Sequence, residues 1–474
     1  MNMKFKFAPK IWNIVHVRIC LYLFVVFLFS FTLFAGSPGL TKETGSSGLS
    51  IAIFDIDVTP PIGSHMAYDP VMGTWDMGLR ARGIVLSGAG LPIVLCSFDW
   101  IGIANESQDE FKKAFAEAAG TIPERVAVHT VHQHDAPVCN FGAEKILKEA
   151  GIDPSRYEST FTRQVMQRLA DEIKASMSKA QTITHIGLGE APVFNVASNR
   201  RIKGPDGKVR ATRYTACGDS ALRAEPEGVI DPIVSLVSFW NNDKPVAVLS
   251  YYASHPQSYY RTGLPNPDFP GIARFYRQLA VPEALHVHFN GAGGNIGAGK
   301  YNDGSKVNRG ILAERLADGM KRAWDATKKE AITPETVKWN LEKVTLPPST
   351  DLENLKKEIV ERSDDVAFVS NTLPKIAWLN RCQQGIRINI GCLSLGRARI
   401  LFMPGELFVE YQLAAKAERP DLFVAMAAYG DYGPGYICTD IAYSEEGYEA
   451  GPASGVAPGS EEVLMTAVKN LLMR

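Results

Sequence analysis

PIVLCSFDWIGIANESQDEFKKAFAEAAGTIPERVAVHTVHQHDAP, residues 92–137, decides the fold class. The apolar run 92–99 reads as a strand. Residues 107–120 read as a helix with Phe111, Phe115 and Ala118 on one face and Gly120 as its stop, and 125–131 as a second strand. Upstream, 51–58 and 82–88 are strand patterns, and Gly88-Ala89-Gly90 makes a hairpin turn into 92–99. Downstream, a helix over about 156–179 leads to a strand at 183–190. Strands at 234–240 and 245–254 flank the polar turn 241–244. A strand at 285–289, a glycine-rich stretch and a helix from about Val307 follow. Strands at 386–395 and 399–404, a helix after Gly405 and a strand at 423–430 complete the pattern. Strands interleaved with helices throughout argue an α/β fold: one large mixed β-sheet flanked by helices. The sequence shows no internal repeat and no proline-rich hinge after residue 50, so 50–474 reads as one domain.

The composition, 46% hydrophobic and 21% charged with a formal net charge of −1, is that of a globular protein. Lysines and arginines are scattered, without the basic stripe a nucleic-acid partner needs. The N-terminus differs. Lys4, Lys6, Lys10 and Arg18 precede an uncharged apolar run, Ile19–Gly36, that ends in small residues, the pattern of a cleaved export signal or a membrane anchor over 1–36. Residues 37–49 form a polar linker. Either reading places the remaining chain outside the cytoplasm: periplasmic, secreted or anchored. Cys96, Cys139, Cys217, Cys382, Cys392 and Cys438 follow with no C-x-x-C pair, which argues against a structural zinc site or a redox motif.

The chemistry concentrates at 127–137, where His129, His132, His134 and Asp135 follow a strand. In an extended segment His132 and His134 share a face, so two imidazoles can converge on one metal. Strand-end histidines bonded to backbone are the competing reading. His255, at a strand end before Pro256, is on local sequence more often structural than a ligand. Glu406 begins the helix after Pro404-Gly405 and could simply serve that helix's N-terminus. Tyr429, Tyr432 and Tyr436 share a Gly/Pro loop, where tyrosines usually pack over neighbours. The stretch 290–300 lacks both the Walker ending and the dinucleotide pattern, and no G-x-S-x-G elbow occurs.

In order, these segments resemble the catalytic domain of the neutral (alkaline, non-lysosomal) ceramidase family. Ile56-Asp57 with Thr59-Pro60-Pro61, Leu79–Val85 and Ser97-Phe98-Asp99 are similar to its opening strands. Val131–Pro137 resembles its THTHSGP motif, Ser198-Asn199-Arg200 its NRS, Tyr252–Ser258 its FAxHxTS and Asp268–Gly271 its DYPG. Pro404-Gly405-Glu406 is similar to its PGE, Gly435–Thr439 to its GYxTT and Tyr448-Glu449 to its YEG. The resemblance spans residues 51–454 and implies a catalytic zinc on His132, His255, Glu406 and Tyr436. It implies His134 as a companion histidine and Arg200 as a substrate-side cation. The implied activity is that of an exported zinc hydrolase, with activated water attacking an N-acyl amide. His134 or Asp135 would carry the proton, and Arg200 or Tyr436 would steady the oxyanion. The sequence departs from the family at 293–297, which has no counterpart of the Ser in G-D-V-S-P-N, and at Asp135-Ala136, where the family has Ser-Gly. The family's C-terminal immunoglobulin-like domain has no counterpart either. An ester or carbohydrate derivative is the alternative substrate, the ligand being a small molecule, lipid or sugar, and a non-catalytic binding protein is the rival class.

Overall fold

The computed structural model describes residues 48–74 and 77–474, which lie in one compact unit. Residues 1–36, expected to form an export signal or a membrane anchor, and linker residues 37–47 lie outside the described residues. Leu49, at the linker's end, is already core.

The order of elements recurs three times. The first round is β1 (Ser50–Asp57), β2 (Arg80–Ser87), β3 (Ile93–Phe98), α1 (Glu106–Ala119), β4 (Val126–Thr130) and α2 (Thr160–Met177). The second is β5 (His185–Pro192), β6 (Ile233–Asn241), β7 (Lys244–Tyr252), α3 (Asp268–Ala280), β8 (Leu285–Asn290) and α4 (Asn308–Asp325). The third is β9 (Val337–Val344), β10 (Ile388–Leu395), β11 (Ala398–Phe402), α5 (Val409–Glu418), β12 (Phe423–Ala427) and α6 (Ser460–Leu472). In each round the first three strands pair antiparallel, and the first helix crosses over to a last strand parallel to the third. The sheet orders β4-β3-β2-β1, β8-β7-β6-β5 and β12-β11-β10-β9 are therefore the same.

The α/β class and mixed strand pairing agree with the sequence reading; two features differ. The expected single sheet is three sheets, and the chain does repeat internally. Strand alternation explains the division. Ile51, Ile84 and Leu95 of the first sheet, Val237, Leu249 and Val287 of the second, and Leu393, Ile400 and Ala425 of the third meet in one shared core. The opposite faces carry separate cores under the helices: Phe54 and Phe98 against Phe111, Phe115 and Leu169 in the first round. Leu236 and Val248 meet Phe269 and Leu316 in the second, and Ile390 and Leu401 meet Tyr411 and Leu464 in the third. Each round also carries an insert between its first and second strands, at 58–79, 193–232 and 345–387. The third insert includes helices at Thr350–Glu361, Val366–Thr372 and Ile376–Gln383 that the sequence reading left unassigned.

Local signals hold where the chain turns. Gly120 ends α1 in the left-handed region at φ 66°, its N–H returning to the last helical turn. The described cysteines are free. Among the described residues no helix is long and apolar enough to cross a membrane.

His129, His286 and His288 are buried in this framework, and desolvation pushes each down to about 3. In the unfolded chain an imidazole titrates near about 6.5, so between that value and the folded one the unfolded state binds more protons. The stability these groups contribute is complete above about pH 6.5 and is lost as pH falls toward about 3. Melting temperature should hold near neutrality and decline below about pH 6, with a shallower decline in His288→Gln. An unchanged decline in that variant would assign the acid sensitivity to other groups.

Candidate metal centre

All three sheets end at the same place. At the C-terminal end of β8, the Asn290 side chain donates to Val131 O (3.1 Å) and accepts from Ser254 N (3.3 Å), while its carbonyl accepts from Ala428 N (2.9 Å). Thr130 N reaches Tyr429 O at 3.0 Å. The segments that leave the parallel strands, where α/β sheets gather ligands, are thereby tied to one another, and they carry the candidate residues.

His132 and His134 follow β4, and His255 follows β7. Each is buried, and their ligating nitrogens lie within 4.8 Å of one another. His132 sits at φ 70°, a conformation unfavourable for a side chain with a Cβ, and its N–H bonds Trp100 O at 2.9 Å. Its Nδ1 donates to Ile101 O at 2.6 Å, and the His255 Nδ1 faces Gly293 O at 3.4 Å. Backbone carbonyls only accept, so in the neutral ring Nε2 of His132 is a bare lone pair, the arrangement of a metal-ligating imidazole.

Glu406 does not begin a helix; α5 starts three residues later. Glu406-Leu407 pairs in parallel with Tyr436-Ile437, so Glu406 and Tyr436 are register partners. This pairing removes the helix N-terminus as the reason for a carboxylate here. Tyr432 donates to Glu406 Oε1 at 2.9 Å. Oε2 lies 3.2 Å from His132 Nε2 yet is buried without a hydrogen-bond partner, and so is Nδ1 of His134. Two acceptors this close require a proton or a cation between them. A third unpartnered nitrogen beside them suits a divalent cation, and the N/O donor set suits zinc. Desolvation opposes the charge on Glu406, but His132, Arg200 and the Tyr432 hydroxyl outweigh it and lower its pKa. Desolvation, followed by neighbouring positive groups, holds His134 and His255 well below the ordinary imidazole range.

Tyr436 stands beside this group with its hydroxyl on Arg200 Nη2 (3.2 Å) and the Tyr448 hydroxyl (3.1 Å). Arg200 is itself buried, bonded to Gly294 O and 3.6 Å from Glu449 Oε1. Asp135 is placed differently from the sequence expectation. Its carboxylate accepts from Arg261 N (2.8 Å), Thr262 N (3.2 Å), Thr262 Oγ1 (2.7 Å) and Asn266 Nδ2 (3.2 Å), and so staples the 261–266 loop. Desolvation of the Asp135 carboxylate outweighs these bonds, which lower its pKa, and raises that pKa above the ordinary value. The glycine-rich stretch is a backbone contact: a Cβ at Gly293 would strike Ser254 O, and one at Gly294 would strike Glu406 O.

Tyr68 and Tyr260 at the site escaped the sequence reading, and Tyr429 was read only as a residue that packs over neighbours. Tyr68 stacks on His134 at 5.7 Å, Tyr260 lies 5.4 Å from the same ring, and Tyr429 stacks on His132 at 4.5 Å. Tyr448 and Glu449, visible only as a motif echo, prove to hold Arg200. The Gly/Pro setting of Tyr429 and Tyr432 was the available signal.

No family model matches the chain, and no curated protein matches it. Solved structures do. The crystal structure of neutral ceramidase from Pseudomonas aeruginosa aligns with TM-score 0.62 and 17% identity, covering 90% of this chain and 74% of that one. A ceramidase described as complexed with C2 aligns with TM-score 0.63 and 15% identity, covering 90% and 75%. The fold of this chain is that of the neutral ceramidases.

Metal analysis of the purified protein should find about one zinc per chain, falling steeply in His132→Ala and His255→Ala. Asn290→Ala leaves Val131 O unpaired in the interior and should cost about 1–3 kcal/mol in denaturant unfolding. Full metal content in both histidine variants would remove these side chains from the ligand set.

Proposed function

We propose that this protein is an exported zinc-dependent hydrolase that cleaves an N-acyl amide bond. The observation that carries the reading is the buried cluster of His132, His134 and His255, with the unpartnered Glu406 Oε2 facing His132 Nε2. His132, His255 and Glu406 would hold the metal, with Tyr436 the fourth candidate donor; His134, a member of the same cluster, is the alternative fourth ligand. Zinc there would supply Lewis acidity, polarising the substrate carbonyl and lowering the pKa of water.

The rest of the reaction falls to the chain's own groups. His134, its Nδ1 unpartnered and its imidazole kept neutral by burial, accepts the proton of the attacking water and returns it to the leaving nitrogen. A C–O bond forms at the carbonyl carbon and the C–N bond breaks. The Tyr436 hydroxyl and the Arg200 guanidinium, bonded to one another beside the cluster, would stabilise the charge that develops on oxygen. Asp135 acts at one remove, holding the 261–266 loop and with it Tyr260 against His134. Export rests on the N-terminal apolar run alone.

Ceramide is a poor candidate substrate, because 293–297 offers no hydroxyl and its glycines are packed on backbone. Loss of one catalytic hydrogen-bonding group commonly costs about a hundred- to a thousandfold in rate. The zinc-loaded protein should therefore turn over small or polar N-acyl and O-acyl compounds faster than ceramide. His132→Ala and His255→Ala should abolish turnover while melting cooperatively near the temperature of the metal-free parent. Ceramide turnover within tenfold of a common enzyme rate, about 10 per second, would overturn the substrate assignment. Retained activity in the folded histidine variants would overturn the metal-dependent mechanism at these residues.

A further inference from the structure

Residues 100–105, which follow β3, grip two different parts of the candidate centre. The carbonyls of Trp100 and Ile101 accept from the backbone N–H and the Nδ1 of His132, at 2.9 and 2.6 Å. The next residues hold Tyr432, which arrives from the third round after β12. Tyr432 N donates to Ile103 O at 3.1 Å, and Ile103 forms a parallel bridge with Asp431. The Asp431 carboxylate accepts from Asn105 N (2.8 Å) and Gly433 N (2.9 Å), which pins the residues on both sides of Tyr432. Arg381 of the third insert braces the same turn, 2.7 Å from Asp109 Oδ2 and 3.7 Å from Asp431 Oδ2.

With its backbone fixed in this way, the Tyr432 ring depends on Gly102. A Cβ at that position would run into the ring, so any larger residue must displace it. The ring stands beside His132, centroids 5.3 Å apart, and its hydroxyl reaches Glu406 Oε1 at 2.9 Å. A phenol is protonated near neutral pH, so the bond runs from Tyr432 to the carboxylate. Glu406 Oε2 faces His132 Nε2 at 3.2 Å and has no hydrogen-bond partner. The two oxygens of Glu406 are thereby divided, one taken by a donor and the other left for a cation.

We propose that Tyr432 is a positioning residue of the metal centre: it fixes the rotation of the Glu406 carboxylate and reserves Oε1, so that Glu406 offers zinc a single oxygen. Gly102 makes that placement possible. A carboxylate free to turn can engage a metal through both oxygens, and the second then fills a position that a catalytic site keeps open. A carboxylate already oriented also loses less freedom on binding, and such outer partners are commonly worth about 10- to 100-fold in metal affinity. This inference rests on the metal centre of the hydrolase reading and not on the bond that is cleaved.

The test measures zinc affinity of the full chain by competition with a chromogenic chelator. It also records the visible spectrum of the cobalt(II)-loaded protein, whose bands weaken as coordination rises above four. Tyr432→Phe keeps the ring and removes only the hydroxyl. It should bind zinc about 10- to 100-fold more weakly and show weaker cobalt bands, while the metal-free protein melts as the metal-free parent does. Gly102→Ala, which alters no ligand, should weaken zinc binding to a similar degree. In Tyr432→Ala no ring is left to displace, so adding Gly102→Ala should cost no further affinity. Zinc affinity or cobalt bands of Tyr432→Phe matching the parent's would overturn the inference and leave the hydrolase reading standing. An equal loss from Gly102→Ala with and without the ring would overturn the part given to Gly102. A parent that binds neither metal would overturn the inference and the metal centre together. Tight zinc binding that falls as expected in Tyr432→Phe, with no amide or ester turned over by the parent, would uphold the inference and sink the hydrolase reading alone.

Discussion

Asn290 does more to make this site possible than any metal-binding residue. One amide side chain and its own carbonyl reach the segment after β4, the segment after β7 and the segment after β12, one in each round of the chain. A buried side-chain amide offers two donors and one carbonyl, and each bond made here leaves a neighbouring backbone group satisfied that would otherwise be orphaned. The three sheets pack on a common apolar core that fixes their distance but, being non-directional, not their rotation. Directional bonds at the strand ends supply the rotation. His132, His255 and Glu406 come from different rounds and meet only when those ends are in register.

Within that frame the centre is built against local preference. His132 and Tyr429 both adopt positive φ and stack on one another, and buried acceptors are left facing each other at Glu406. Each of these costs stability, and the surrounding framework must hold them in place. Gly294 belongs to the same economy of space, letting backbone from the second round lie against backbone from the third, while Gly293 lets the second round's own segments close on each other. A ligand that neutralises the facing acceptors therefore stabilises the whole arrangement as well as acting in it.

Periodicity carried much of the fold. The strand and helix patterns around 92–131, 234–254 and 285–325 agree with the observed elements because apolar spacing and turn residues there point the same way. The threefold recurrence was invisible, since it lives in the order and direction of strands and not in residues, and the inserts at 58–79, 193–232 and 345–387 destroy any fixed period. Glu406 looked like a helix start because Pro-Gly precedes it; the competing parallel bridge to Tyr436 is a contact between segments far apart in sequence. Asp135 looked reactive because it adjoins His134, whereas its partners lie more than a hundred residues away. Tyr68 carries no local signal and Tyr448 only a motif echo, and only the fold shows what they touch.

The inserts share one joint in every round, between the first and second strands, where the chain can leave and rejoin without altering a strand pairing. Tyr68, Arg200 and Arg381 each come from a different one of them. Descent can therefore lengthen, shorten or exchange one cover at a time over an unchanged chassis. Kin of this chain should diverge in what they accept chiefly through these three segments, and grafting a single insert between relatives is the natural route to altering selectivity without rebuilding the centre.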